Sequence, residues 1–183
     1  MTVRLPPPVR DRLAMVIVET PQGSRNKLKF DADLGLFKLS HVLPAGMAFP
    51  FDFGFLPGTR AEDGDPLDVL ILMDAPVYPG CLVETRLIGV LEVEQREEDG
   101  TVVGNDRLIG VAKESTLHAA TRDLSDVAPA LLGEIEAFFA QYNRLDGKEF
   151  RVLHRRGRAA ADALVERSRE GESARSQGGP SAA

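Results

Sequence analysis

Glu62-Asp63-Gly64-Asp65-Pro66-Leu67-Asp68-Val69-Leu70-Ile71-Leu72-Met73 joins an acidic loop to an apolar run of strand length. Four carboxylates fall within its first seven residues, a crowding of like charge that cations or solvent must offset. Gly64 and Pro66 fix a sharp bend and a rigid re-entry into the strand, and a loop so stiffened can aim several oxygens at one point. An all-oxygen donor set favours Mg²⁺ or Mn²⁺ over zinc. The ligand spacing and closing glutamate of an EF-hand are absent. A solvated acidic turn is the plain alternative.

Outward from this stretch, short strand-like runs dominate the first two thirds of the chain. They are Leu13 to Val18, Lys27 to Phe30, Leu36 to Leu39, Val69 to Met73, Leu82 to Val93 and Arg107 to Val111. Gly23-Ser24, Pro57-Gly58, Pro79-Gly80 and Asp99-Gly100 punctuate them as turns. Many short strands at this spacing argue for a closed or nearly closed barrel. Helices come late. Val127, Leu131, Ile135 and Phe138 or Phe139 recur at helical spacing through Tyr142, with Ser125 or Asp126 as the expected cap. Pro129 is tolerable in the first turn, where its missing N–H has no intrahelical partner. A second helix is expected from Arg158 to about Arg169. Residues 1–12, broken by Pro6-Pro7-Pro8, read as an arm; residues 13–170 as one domain; residues 171–183 as a flexible tail.

The composition narrows the function. Twenty-two basic and 28 acidic residues leave a net charge of −6, which argues against a general nucleic-acid binder. No apolar run is long enough to cross a bilayer, and the N-terminus lacks the apolar core of a signal peptide. A single cysteine, Cys81, excludes an internal disulfide, and His41, His118 and His154 are too dispersed for a zinc motif. The expectation is a cytoplasmic protein that handles something small, without membrane or nucleic-acid partners.

Asp63-Gly64-Asp65-Pro66-Leu67-Asp68-Val69 closely resembles the signature of the soluble (family I) inorganic pyrophosphatases. Further stretches follow in the order this family has them. Glu19 to Lys27 resembles its early strand and lysine-bearing loop, Phe49-Pro50-Phe51-Asp52-Phe53-Gly54-Phe55-Leu56-Pro57-Gly58-Thr59 its aromatic segment, Asn105-Asp106-Arg107 its Asp-x-Lys strand, and Phe138-Phe139-x-x-Tyr142 its helical motif. The likeness covers roughly residues 13 to 153. It implies a mainly β (α+β) fold, an OB-like five-stranded β-barrel with two C-terminal helices. It also implies hydrolysis of pyrophosphate to two orthophosphates on Mg²⁺, with Mn²⁺ as the alternative, and a homo-oligomer. Carried over position by position, it makes Asp65 the acceptor of the attacking water's proton and Asp63, Asp68 and Asn105 the metal ligands. Lys27, His41, Arg107 and Tyr142 would bind the substrate. Tyr142 is otherwise an ordinary aromatic on a buried helix face.

Several positions depart from the family pattern. Lys29 stands where the family has a carboxylate and His41 where it has an arginine; Phe49 and Phe53 replace two tyrosines. Asn105 replaces the strand aspartate, Gln95 falls near the other metal-binding aspartate, and Asn143 replaces a lysine. Asn105 and Arg107 are expected on one strand face and Asp106 on the other. The pattern implies fewer or weaker metals, and leaves open a low-activity phosphate- or diphosphate-binding protein or a hydrolase of another phosphoanhydride.

Overall fold

The computed structural model describes residues 5–176, with side chains through residue 169. The elements run β1 (Val9–Arg10), β2 (Leu13–Thr20), β3 (Asn26–Asp31), β4 (Leu36–Val42), β5 (Asp52–Leu56), β6 (Leu67–Leu72), β7 (Leu82–Arg96), β8 (Val102–Gly104), β9 (Arg107–Ala112), α1 (Pro129–Leu145), β10 (Glu149–Gly157) and α2 (Arg158–Ser176). Strand pairing passes from β2 to β5, β6, β9 and β7, and β7 pairs back with β2. That ring is the expected five-stranded barrel. β6 and β9 are parallel and every other pair in the ring is antiparallel. β1, β8 and β10 extend the sheet at its margins, and β3–β4 form a separate hairpin.

Both faces of the barrel strands are buried, so β6 and β9 read as continuous apolar runs rather than alternating ones. Alternation instead divides the strands between two clusters. Leu70, Leu72, Ile109 and Val111 pack with Leu132, Ile135 and Phe139 of α1. Val69, Ile71 and Leu108 pack with Ala161, Leu164 and Val165 of α2. Gly54 in β5 lets the backbones close up: a Cβ built there would lie 2.1 Å from the Ile17 carbonyl oxygen.

Four features differ from the sequence-based expectations. Residues 1–12 are not wholly an arm, because Val9–Arg10 pairs with β2 across a turn at Asp11 and Arg12, both of positive φ. Neither Ser125 nor Asp126 caps α1; both belong to a short 3₁₀ turn capped by Asp123, and α1 opens at Pro129 behind Ala128. α2 continues past Arg169 to Ser176, into the expected tail, while residues 177–183 lie outside the described ones. β5, β8 and β10 are strands the sequence reading does not foresee. Among the described residues no helix is long and apolar enough to cross a membrane.

Candidate active site

The acidic loop is built by short-range bonds. Gly64, at φ +93°, makes the bend. The Asp65 amide donates to the Asp63 carboxylate at 3.1 Å, and the Ala61 amide to the Asp65 carbonyl at 2.8 Å. At the loop's exit Thr59 accepts from the Leu67 amide (3.0 Å) and donates to the Leu56 carbonyl (2.6 Å), fixing where β6 begins. Asp68 shares its strand face with Leu70 and Leu72, and the parallel register sets it opposite Arg107 on β9. The Arg107 guanidinium meets the Asp68 carboxylate at 2.8 Å and lies 5.6 Å from the centre of the Phe139 ring.

Arg107 is 5% exposed and also donates to the carbonyl and side-chain oxygens of Asn105, yet its buried Nε has no partner. The Asn105 amide group donates to Gln95 (2.9 Å), and Gln95 donates to Glu97 (2.6 Å), which pairs with Lys148 at 2.9 Å. Asp106 faces away, accepting from the Val93 amide at 2.9 Å, as strand alternation requires.

β3 supplies two lysines from alternate positions. Lys27 is buried, pairs with Glu19 at 3.4 Å, and sits 4.3 Å from the centre of the Phe53 ring and 5.6 Å from that of Phe49. The two phenylalanines thus present ring faces to the cation where the family has phenols. Burial pushes the Lys27 pKa down and the Glu19 pKa up, each against the attraction of the other. Lys29 reaches the Asp65 carboxylate at 2.6 Å, with both side chains about half exposed. Partial burial pulls its pKa down, but the hydrogen bond and charge of Asp65 outweigh it and hold the ammonium above its ordinary value. Burial, with the charges of Asp68 and Asp65, raises the Asp63 pKa despite the Asp65 amide bond. The Tyr142 phenol is pushed well up by burial and by Asp146, so it stays protonated and able to donate. Its ring stacks on His41 at 5.5 Å between centres, and the buried His41 Nε2 has no hydrogen-bond partner.

All eight residues singled out from the sequence — Lys27, His41, Asp63, Asp65, Asp68, Asn105, Arg107 and Tyr142 — line one cleft of about 780 Å³. Glu19, Lys29, Glu97 and Lys148 line it too, and none of the four was singled out as a site residue. Lys29, two positions after Lys27, is the residue that replaces the family's carboxylate, and it shares the strand face of Lys27. Glu97 follows β7 in an acidic turn, where Glu98 and Asp99 are equally placed in the sequence to stand in for the missing metal ligand. Asn143 also lines the cleft, but its side chain donates to the Phe139 carbonyl at 2.8 Å, within α1.

The inorganic pyrophosphatase family model matches residues 16–172. The chain belongs to the inorganic pyrophosphatase family. An inorganic pyrophosphatase of Thermus thermophilus is 42% identical over 160 residues, which cover 84% of this chain and 89% of that one. One from a Nostoc species is 36% identical over 168 residues, 90% and 95% of the two chains. The crystal structure of a Thermus thermophilus inorganic pyrophosphatase superimposes with a TM-score of 0.85 at 36% identity, covering 94% of this chain and 99% of that chain. The family's enzymes are metal-dependent.

In donor chemistry the pyrophosphatase cleft suits a hard divalent cation, since Asp63, Asp68 and Asn105 offer only oxygens. Their commitments differ. Arg107 holds both Asp68 and Asn105, and Lys29 holds Asp65. Asp63 pairs with no basic side chain among the described residues, and no group of three or more acidic, histidine or cysteine side chains is gathered there as a ready cage. Of the three aspartates, Asp63 is the one left without a basic partner among the described residues.

Proposed function

We propose that the cleft hydrolyses inorganic pyrophosphate to two orthophosphates with Mg²⁺, for which Mn²⁺ can substitute, so that the chain is an inorganic diphosphatase. One observation carries this reading: three aspartates at the family's spacing and the cations Lys27 and Arg107 converge on a single cleft. Asp63 would hold the ion together with Asp68 and Asn105, and the ion supplies Lewis acidity toward phosphoryl oxygens and the attacking water.

Everything else falls to the chain's own side chains. Asp65, partly exposed at the mouth of the cleft, accepts the proton of the attacking water. Lys27 and Arg107 meet the phosphate oxygens where negative charge builds as the bridging bond breaks, in surroundings dry enough to strengthen both contacts. The Nε of Arg107 is a buried donor with no protein acceptor, beside a cleft that would bring an anion to the same guanidinium. Tyr142 donates its phenol to a phosphate oxygen, beside His41, whose Nε2 lies 3.9 Å from the Asp146 carboxylate. The same reading carries a cytoplasmic homo-oligomer that acts on a small anion rather than on nucleic acid, in keeping with the charge of −6.

The Lys29–Asp65 pair favours a second reading, a diphosphate-binding protein of low turnover, because a base tied to an ammonium is a poorer proton acceptor. Phosphate release separates the two. With Mg²⁺ or Mn²⁺, pyrophosphate should be hydrolysed in preference to ATP and tripolyphosphate. No release from any of the three, with either metal, would leave the binding protein; preferred cleavage of ATP or tripolyphosphate would change the substrate.

A further inference from the structure

Each carboxylate of the cleft but Asp63 that faces the three central cations already has its counter-charge: Glu19 has Lys27, Asp65 has Lys29 and Asp68 has Arg107. The Lys27–Glu19 pair is buried and the Arg107–Asp68 pair mostly so, while Lys29 and Asp65 are roughly half exposed. The difference matters. An exposed pair of flexible side chains contributes only about 0–1 kcal/mol, so the Lys29 contact breaks at little cost. A lysine is a compact point charge on a four-carbon stem, able to swing from one anion to another nearby. Its contact with a phosphate would be a charge-assisted bond of the stronger kind. Lys27 and Lys29, alternate residues of β3, line the same cleft, and the partnerless Arg107 Nε adds a buried donor.

We infer that Lys29 is a resident cation standing in for a divalent ion beside Asp65, and that the cleft therefore takes up pyrophosphate as the bare anion, with Lys29 passing from Asp65 to the phosphate. Taking up the anion then also frees Asp65. The inference rests on the reading of this cleft as a pyrophosphate site. It assigns Lys29 two opposite effects. With the cleft empty of anion, its ammonium repels a divalent cation from the Asp63–Asp65 loop; with pyrophosphate present, it replaces one as the partner of the phosphate oxygens. A merely structural surface ion pair would do neither.

Calorimetric titration of pyrophosphate into the full chain in EDTA, beside titration of Mn²⁺ alone followed by electron paramagnetic resonance, tests both effects. The wild-type protein should bind pyrophosphate without divalent metal. Lys29→Ala should weaken that binding roughly tenfold or more, as loss of one charge contact to an anion implies, while it tightens Mn²⁺ binding several-fold. Lys29→Arg should retain most of the metal-free affinity. An unchanged melting temperature in Lys29→Ala would confirm that the altered affinities do not come from unfolding, as expected for an exposed pair. Metal-free binding that is absent from the wild type, or untouched by Lys29→Ala, overturns the inference. Phosphate release at saturating Mg²⁺ is scored separately. Turnover without binding in EDTA defeats only the role of Lys29, whereas binding in EDTA without turnover defeats only the hydrolytic reading.

Discussion

At the scale of single residues, two aspartates three positions apart in the acidic segment have opposite structural weight. Asp65 projects from a loop and meets an exposed lysine; Asp68 lies on β6 and compensates the buried Arg107. Asp65→Asn therefore forfeits at most about 1 kcal/mol of pairing. Asp68→Asn strands a guanidinium in the interior, for which about 3–5 kcal/mol is the usual loss when a buried pair is broken. Both variants should lose nearly all phosphate release. Only Asp68→Asn should also melt early, by roughly 6–20 °C at ~2–4 °C per kcal/mol for a chain of this size. Calorimetric scans beside initial rates decide the matter. Equal melting temperatures would mean that Asp68 and Arg107 are not paired in solution.

At the scale of elements, α1 links the core to the site. Phe139 is fully buried between the rings of Phe53 and Phe150, and its ring lies beneath Arg107. Ile135, one turn earlier, is equally buried in the same apolar cluster and has no recorded contact with Arg107. Phe139→Ala should cost about 3–5 kcal/mol and Ile135→Val about 0.5–1.5 kcal/mol. At a temperature where both remain folded, only Phe139→Ala should raise the KM for pyrophosphate, because only it removes the platform of Arg107. A KM that rises equally in the two variants would make α1 a packing element and nothing more. The same elements show what the sequence discloses. The apolar runs of β2, β6, β7 and β9 and the 3.6-residue spacing of α1 are local signals, and Pro129 marks the helix start. β5 escaped because Asp52 interrupts its aromatics; that carboxylate is fully buried, yet it accepts the Gln22 and Val77 amides. β10 escaped because it is a marginal strand paired only with β7, and its Arg155 and Arg156 pair with Glu136 and Glu92. At the site, the aspartate spacing was legible because it lies within one loop. The partnership of Asp68 with Arg107 was not, because it arises from the register of two parallel strands 39 positions apart in the chain.

At the scale of the whole molecule, the carboxylates with shifted pKa values fall into two groups of opposite effect on stability. Burial raises the pKa of Glu19 above its ordinary 4.5 and those of Asp52, Asp63 and Asp106 above 3.8. Hydrogen bonds lower a second set: Asp74 accepts from Ser115 and Thr116, Asp123 from the Arg158 and Ser125 amides, and Asp126 from the Arg122 and Asp123 amides. As pH falls from 7 through the raised values, the folded state takes up protons before the unfolded one, so stability rises. Below about 4 the unfolded state takes up more, because the lowered group is still ionised in the fold, and stability falls. Relief of the net charge of −6 on mild acidification acts in the same direction as the first step. The melting temperature should therefore peak near pH 4–5 rather than at neutrality. Asp106→Asn isolates one contributor, since an amide oxygen can still accept the Val93 amide while the buried charge is gone. That variant should melt higher than the wild type at pH 7, and the gap should close as pH falls below the ordinary carboxylate range, where Asp106 is protonated in the folded and the unfolded chain alike. Calorimetric scans of both proteins from pH 3 to 8 at fixed ionic strength test the balance. A wild-type melting temperature that falls steadily from pH 7 downward would show that the hydrogen-bonded carboxylates outweigh the buried ones throughout.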